Sequence, residues 1–364
     1  MMAICAGRAG SGLLALAIGL LAATYALAGT GQHKVMRVYH IGNSLTRSIT
    51  LDRLHMLMDE RGIDYQFGSQ LLGGCSLARH WRTRRQGEWT RNWESNKPAG
   101  DTFEPGEPDS DSLPKRFGPY DQALRDFQWD ALVLQPVGNG TGAEFQAMQD
   151  FISFALEHGA TKHVFLYSTW CGRPAIRDEA GRRTGVQSID YQALWERTPP
   201  GEDADEARSL RQARHEMMAR VNAAFAGKLE EPVRIIPMGE VFCELDKRLK
   251  AGQIPGLAEL CARAPERIPG WDPQTGAAAG ANILYADGIH PVANPHLDGN
   301  ISNYTIALTH CAVLTGKSPM GLSGRAYGLD DEEDATLIKA LQGTVWDVVT
   351  NHPYAGIRQD ESSR

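Results

Sequence analysis

The chain has 364 residues, with 37 Lys and Arg against 44 Asp and Glu, and a formal net charge of −7. An acidic protein has no general attraction for polyphosphate, so we expect no nucleic-acid partner. The length suits one large α/β domain with insertions as well as two smaller domains.

The N-terminal segment has the pattern of a secretory signal peptide. Arg8 precedes an apolar run from Leu13 to Ala23, and Ala26-Leu27-Ala28 is a small-x-small cleavage site. The apolar run is shorter than the ~20 residues that a membrane span needs. We therefore predict that residues 1–28 are a signal peptide and that residues 29–364 form a single secreted or periplasmic domain with no stable membrane insertion.

Strand and helix patterns alternate along the rest of the chain. Near-continuous apolar runs predict five buried parallel strands, at Val35–Ile41, Tyr65–Leu72, Ala131–Gln135, His163–Ser168 and Arg234–Met238. Amphipathic patterns predict helices between them, at Leu51–Arg61, Tyr120–Phe127, Ala143–Glu157 and Ala204–Ala226. This alternation predicts a doubly wound α/β fold, a flavodoxin-like three-layer α/β/α sandwich around a five-stranded parallel sheet.

Long insertions and two further helices complete the predicted domain. Stretches rich in Pro, Gly and charge predict loop insertions at about 76–118, 171–203 and 251–281, near the carboxyl edge of the sheet. Pro295 is predicted to begin a helix that runs to about Thr315. Asp330 is predicted to begin the last helix, with Glu333 as its capping-box partner.

Two short motifs carry the candidate chemistry. Ser44 follows the first predicted strand directly, and Asp287 precedes His290 by three residues near the other end of the chain. Ser, Asp and His in this chain order are one arrangement of a nucleophilic triad. A serine hydroxyl is a weak nucleophile, so it needs a base within hydrogen-bond reach and a third group that orients the base. Ligands of such sheets bind beyond the carboxyl ends of the strands, which is where Ser44 is expected.

These motifs resemble those of the SGNH (GDSL-like) hydrolases. Gly42-Asn43-Ser44-Leu45 is similar to the family's first block, and Asp287 to His290, followed by Pro291, is similar to its last block. Gly74 corresponds to the oxyanion glycine after the second strand. Val137-Gly138-Asn139-Gly140 corresponds to the third block, although its glycine comes one place late and its final Asp is missing.

The resemblance implies an exported serine esterase that hydrolyses small O-acyl esters, such as acetyl groups on carbohydrate. Ser44 would be the nucleophile, His290 the base and Asp287 the residue that orients it. The oxyanion hole would use the amides of Ser44 and Gly74 with the Asn139 side chain, and Gln135 is the alternative to Asn139. The reaction needs no cofactor and no metal.

Other functions also fit the sequence. Arg79, His80 and Trp81 belong to an Arg/Trp-rich stretch that is either a solvated insertion or a platform for sugars and anions. The same fold and motifs fit a carbohydrate O-acyltransferase or a non-catalytic carbohydrate-binding protein. Residues 138–143 also fit Gly-x-Gly-x-x-Gly/Ala, but a dinucleotide site would need an acid after the next strand, which ends Ser168-Thr169-Trp170.

The cysteines suggest at most two disulfides. Loss of Cys5 with the signal peptide would leave five cysteines, of which Cys243 and Cys261 flank one predicted helical hairpin and are the preferred pair. No Cys-x-x-Cys or His-x-x-x-His spacing indicates a zinc site. The sequence does not specify the oligomeric state.

Overall fold

The computed structural model describes residues 33–83, 93–95, 117, 119–138, 142–161, 163–172, 175–186, 190–196, 209–268, 284, 289–291 and 300–357. The chain divides into a segment that ends at Lys34 and a compact unit from Val35 to Arg364, and the compact unit contains all the described helices. The predicted signal peptide lies outside the described residues, as do Asp287 and Asn139. The signal peptide and its export role therefore stay predictions.

A mixed six-stranded sheet forms the centre of the described unit. Its strands are β1 (Lys34–Gly42), β2 (Ile63–Leu71), β3 (Trp93–Ser95), β4 (Ala131–Leu134), β5 (Val164–Ser168) and β8 (Arg234–Pro237). Strands β6 (Ala175–Arg177) and β7 (Arg183–Val186) form a separate two-stranded sheet. The strand order is β3-β2-β1-β4-β5-β8, and β3 pairs antiparallel with β2 at the edge. The other five strands form the predicted parallel sheet, and all five were predicted within two residues.

Helices cover both faces of this sheet. They are α1 (Ser44–Arg47), α2 (Leu51–Asp59), α3 (Leu77–Thr83), α4 (Tyr120–Asp126), α5 (Ala143–Glu157), α6 (Tyr191–Glu196), α7 (Leu210–Ala224), α8 (Met238–Lys250), α9 (Leu257–Arg263), α10 (Ile301–Thr315) and α11 (Ala335–Asn351). Buried residues of α2, α8, α10 and α11 pack on one face, and those of α4, α5 and α7 pack on the other. This confirms the three-layer α/β/α prediction. Among the described helices, none combines the length and the apolar character that a membrane crossing requires.

The strands supply side chains to both cores in alternation. In β1, Val38 belongs to the core under α10, whereas Tyr39 and Ile41 belong to the core under α5. Leu132 and Val133 of β4 divide in the same way. Since successive strand residues point to opposite faces, a strand buried on both sides must be apolar throughout. The continuous apolar runs in the sequence have this cause.

Two helix starts differ from the prediction. Helix α10 begins at Ile301, where Asn300 accepts hydrogen bonds from the amides of Ser302 and Asn303, so Asn300 is the N-cap in place of a start at Pro295. Helix α11 begins at Ala335, because Asp330 caps the preceding turn by accepting from the amides of Glu332 and Glu333. A polar side chain can cap a turn as well as a helix. Asp330 is therefore a capping residue as predicted, but it caps a turn that precedes the helix.

The predicted disulfide is wrong. No disulfide joins Cys243 to Cys261, and no other pair among the described cysteines, Cys75, Cys171, Cys243, Cys261 and Cys311, is bridged. Cys243 on α8 and Cys311 on α10 are buried in the core, where cysteine behaves as a small apolar residue. Burial raises the pKa of both thiols to about 12, so both stay protonated at neutral pH.

Candidate active site

Ser44 occupies a tight turn between the end of β1 and helix α1. The turn needs glycine at position 42, because a Cβ there would overlap Thr46 Oγ1 and lie 2.8 Å from Gln135 Oε1. The carbonyl of Gly42 accepts from the amide of Leu72 at 3.2 Å and from His80 Nε2 at 2.8 Å. The nucleophile candidate is therefore held by the ends of neighbouring strands.

Asn43 and Gln135 brace this turn from inside. Asn43 is buried; its Oδ1 caps α1 by accepting from the amide of Leu45 at 2.9 Å, and its Nδ2 donates to the carbonyl of Cys75 at 3.1 Å. Gln135 Oε1 accepts from the amide of Asn43 at 2.9 Å and from Thr46 Oγ1 at 3.1 Å. These bonds fix the Ser44 turn to the ends of β2 and β4.

His290 lies directly beside Ser44. The distance from His290 Nε2 to Ser44 Oγ is 2.9 Å, although 246 positions separate the two residues in sequence. A hydroxyl at this distance can donate its proton to an unprotonated ring nitrogen, which is the contact that general-base activation requires. The fold thus brings two residues from opposite ends of the chain into hydrogen-bond range.

The segment that carries His290 is fixed by side chains from distant elements. Trp170, just after β5, donates from Nε1 to the carbonyl of Ile289 at 2.7 Å. Asn300 Nδ2 makes a longer contact, 3.4 Å, with the carbonyl of Pro291. Asn303 Nδ2 donates to the carbonyl of Ser48 at 2.7 Å, so α10 is also tied to the Ser44 turn. Asp287, the predicted orienting residue, lies outside the described residues.

Two residues of the predicted oxyanion hole, Ser44 and Gly74, line the same cavity. Ser44 is the first residue of α1, and the first amides of a helix have no partner within it. Gly74 has a φ of +64°, a conformation that favours glycine, and lines the same cavity as Ser44. Gln135 also lines the cavity, but its Oε1 braces the turn and its Nε2 makes a 3.4 Å contact with the carbonyl of Pro136. Gln135 is therefore better placed as a brace than as the alternative oxyanion donor.

A cavity of about 890 Å³ opens beside Ser44 and His290. Its wall is mostly apolar, with Leu45, Val137, Trp170, Trp195, Leu210 and Ile289 among its lining residues. Trp195, from α6 in the insertion after β5, packs so closely on Gly239 of α8 that a Cβ there would overlap its ring. The insertion thus forms part of the cavity, which has the size and apolar character of a site for a small organic ligand.

Three predicted substrate contacts lie elsewhere. Arg79 is exposed on α3, and His80 is buried behind the Ser44 turn, where its Nε2 donates to Gly42. Burial lowers the pKa of His80, which favours the neutral ring. Trp81 packs against Phe151, with ring centroids 5.0 Å apart. Since none of the three lines the cavity, they are not part of the proposed substrate site.

Several supporting residues have no signal in the sequence. Glu144, in the first turn of α5, accepts from the amides of Leu77, Ala78 and Val137, and so joins two loops of the site. In the sequence, Trp170 is only a residue after a strand, and Arg214 is only part of an amphipathic helix pattern. Their contacts join residues remote in sequence, which local patterns do not encode.

One cluster of metal-ligand types occurs in the described part of the chain. His215, Glu240 and His352 bring donor atoms within 4.8 Å of one another. His352 Nδ1 accepts from the amide of Tyr354 at 3.2 Å, so the neutral ring carries its proton on Nε2, 3.5 Å from Glu240 Oε1. A protonated Nε2 cannot ligate a metal, and the arrangement favours a His–Glu pair instead.

Fold and site together define an α/β/α protein with a serine–histidine pair at the carboxyl edge of its sheet. No protein-family model matches the sequence, and no curated protein matches it. A solved structure of a DUF4886 family protein from Bacteroides uniformis is similar, with a TM-score of 0.51 and 18% identity over 87% of this chain and 96% of that chain. A protein from Slackia heliotrinireducens, described as "a putative SGNH hydrolase", has a TM-score of 0.36 and 18% identity over 76% of this chain and 98% of its own. At this identity the first likeness shows the fold alone.

Proposed function

We propose that this protein is a serine hydrolase of the SGNH type that cleaves small O-acyl esters, acetyl esters above all, with carbohydrate as the natural alcohol. The observation that carries the proposal is the 2.9 Å contact between Ser44 Oγ and His290 Nε2 at a cavity of about 890 Å³. The lining tryptophans Trp170 and Trp195 suit a sugar ring or an acyl group.

In the first half of the reaction, Ser44 Oγ attacks the ester carbonyl carbon while His290 Nε2 takes the serine proton. The amides of Ser44 and Gly74, with the Asn139 side chain as the third donor, stabilise the negative oxygen of the tetrahedral intermediate. Each such donor is worth about 3 kcal/mol of barrier. The intermediate collapses when His290 passes its proton to the oxygen of the leaving alcohol. The alcohol departs, and the acyl group stays on Ser44.

In the second half, water attacks the carbonyl carbon of the acyl-enzyme while His290 accepts a proton from the water. The bond to Ser44 Oγ then breaks, His290 returns the proton to Ser44, and the carboxylic acid is released. Asp287 orients the imidazole and stabilises its cation, a role assigned from its three-residue spacing to His290. The protein would act after export, once residues 1–28 are removed. Mass spectrometry of the N-terminus of the secreted protein tests that part separately.

The direct test is hydrolysis of 4-nitrophenyl acetate by the purified wild type and by Ser44→Ala and His290→Ala. Both variants should lose on the order of 10⁴-fold or more in kcat, because triad members act as a unit. His158→Ala and Ser318→Ala serve as controls that should keep the wild-type rate. His158 follows α5, whose 15 residues place it about 22 Å from the end near the site. Unchanged rates in both site variants would contradict the proposal.

Two further measurements separate the rival functions. A fluorophosphonate should label the wild type but not Ser44→Ala, whereas a non-catalytic carbohydrate-binding protein would leave Ser44 unlabelled. Product analysis with acetyl donor and added sugar acceptor separates a hydrolase, which releases acetate, from an acyltransferase, which acetylates the sugar. Accumulation of acetylated sugar in place of acetate would assign the transferase.

A further inference from the structure

The cavity contains a buried cation that the proposed reaction does not use. Arg214, on α7, lines the cavity beside Ser44 and His290 and is only 4% exposed. Its Nε and Nη1 are buried and have no hydrogen-bond partner. Arginine remains protonated in proteins, and a buried charge without a partner is strongly unfavourable. A charge retained in this position needs a counter-charge.

The described neighbours of Arg214 do not supply that counter-charge at hydrogen-bond range. The carboxylate of Glu240 is close enough to attract the guanidinium, yet its two oxygens are buried without hydrogen bonds, and Glu240 Oε1 lies 3.5 Å from His352 Nε2. Burial keeps Cys171 neutral by raising its pKa to about 12. Asp190 also lines the cavity, but its Oδ1 lies 3.6 Å from Lys250 Nζ.

Within the described part of its wall, the mostly apolar cavity therefore contains a buried positive charge at Arg214 that has no hydrogen-bonded acid, while its acidic residue, Asp190, is exposed. Burial lowers the pKa of Arg214, which reflects the cost of holding this cation away from water. A guanidinium binds a carboxylate through two parallel hydrogen bonds, and such bonds strengthen where water is excluded. A doubly charged phosphate would need further donors, whereas one arginine matches the single charge of a carboxylate.

We propose that Arg214 binds a carboxylate on the substrate, so that the preferred ester is an anionic one that carries a carboxylate besides the scissile bond. This inference rests on the proposed esterase function and narrows its substrate class. Two kinds of ester have this chemistry: half-esters of dicarboxylic acids, with the carboxylate on the acyl side, and O-acylated uronic acids, with the carboxylate on the alcohol side.

The test compares kcat/KM within two matched pairs of substrates. The acyl-side pair is mono-4-nitrophenyl adipate and its methyl ester, and the alcohol-side pair is an acetylated methyl glucuronoside and the matching methyl glucoside. The wild type should prefer the carboxylate member of one pair by tenfold or more. Arg214→Met should reduce the ratio of kcat/KM within that pair to below twofold, a ratio in which any loss common to both substrates cancels, and Arg214→Lys should keep part of the preference. No preference in the wild type, or an unchanged preference in Arg214→Met, overturns the proposal.

A purely structural role for Arg214 predicts a different pattern. If the arginine served only as counter-ion to Glu240, Arg214→Met and Glu240→Gln would both lose stability and neither would change the ratio of kcat/KM within a substrate pair, and that result also overturns the proposal. Adipate should inhibit turnover of the neutral substrates by the wild type competitively, and hexanamide should not. This measurement needs no variant, so it tests the proposal even if Arg214→Met does not fold. Equal inhibition by adipate and hexanamide, or none by adipate, would overturn the proposal.

The failure of the inference differs from the failure of the function. Turnover of neutral esters that survives in Ser44→Ala removes the proposed function, whatever the substrate preference. Turnover that needs Ser44 but shows no preference for a carboxylate removes only the role of Arg214.

Discussion

The Ser44 turn and the His290 segment meet at 2.9 Å, but they are held in different ways. The Ser44 turn is built on the sheet: Asn43 and Gln135 bond it to the ends of β2 and β4, and no Cβ fits at Gly42. The described part of the His290 segment is held through its backbone carbonyls by Trp170 and Asn300. Substitutions in the turn should therefore lower both stability and activity. Substitutions in the segment should misplace His290 and lower activity, with the core left intact.

The largest expected effect concerns helix α10. Its N-cap Asn300 contacts the His290 segment, and its Asn303 bonds to Ser48, next to the Ser44 turn. His310 on α10 packs between the strands and the helix, with its ring 4.5 Å from Tyr167 of β5 and 6.5 Å from His40 of β1. Burial lowers the pKa of His310 to about 4, against about 6.5 in the unfolded chain, and it lowers that of His40 as well. Between these values the unfolded state binds more protons, so stability is complete above pH 6.5 and is lost as the pH falls towards 4.

For His310 alone this loss is about 3 kcal/mol of unfolding free energy at pH 4. Urea unfolding between pH 7.5 and pH 4 measures it. His310→Leu should flatten the dependence, whereas His158→Gln, at the half-exposed end of α5, should leave it as in the wild type. Equal slopes in His310→Leu and the wild type would show that the ring is not held neutral by burial.

The next effect tests the Ser44 turn. In Gly42→Ala, the new methyl group meets Thr46 and Gln135, and relief of that overlap must move the residues that brace Ser44. We expect a loss of about 2 kcal/mol in stability, in the range of overpacked cores, and a fall of about a hundredfold in kcat. Thermal unfolding and ester hydrolysis measure the two.

Gly73→Ala is the matched control for this substitution, because a Cβ at position 73 meets nothing within 4 Å. It should leave both quantities near the wild type. A Gly42→Ala protein with normal stability and normal kcat would mean that the turn tolerates movement, and that the turn is no more tightly built than the His290 segment.

The smallest effect tests the His290 segment. Trp170→Phe keeps the aromatic packing but removes the bond from Nε1 to the carbonyl of Ile289. Loss of a hydrogen bond to this partly buried carbonyl costs about 1–3 kcal/mol, and we expect most of it as misplacement of His290, with about a tenfold fall in kcat.

Trp129→Phe removes an equivalent bond, from Trp129 Nε1 to the carbonyl of Ala123 at 3.0 Å, in the opposite core. The two variants should lose similar stability, and only Trp170→Phe should lose activity. Parallel losses of kcat in both would indicate a general effect on the fold in place of a local effect on the base.

The sheet was predictable because a strand that is buried on both faces must be apolar throughout. Five such apolar runs alternate with helix patterns in this sequence. The position of Ser44 followed from the end of β1. The helix starts at Ile301 and Ala335 were missed, because Asp330 and Pro295 have the local chemistry of a start and only the tertiary structure selects among such candidates.

The cavity wall was not predictable from the sequence. Trp81 has the composition of a sugar platform, but its ring packs against Phe151 in the core. Trp195 on α6, Arg214 on α7 and Trp170 after β5 all line the cavity, and only the tertiary structure brings these three positions together. Residue type alone therefore pointed to the wrong tryptophan.

The contact between Ser44 and His290 spans 246 positions, and this separation sets an order of events during synthesis. When the first half of the chain has been synthesised, it contains Ser44 and all the strands up to β5, but not His290. The nascent polypeptide therefore cannot form the pair until residue 290 has been synthesised, and long loop closures of this kind slow folding. A chain that stops short of residue 290 therefore lacks the serine–histidine contact altogether.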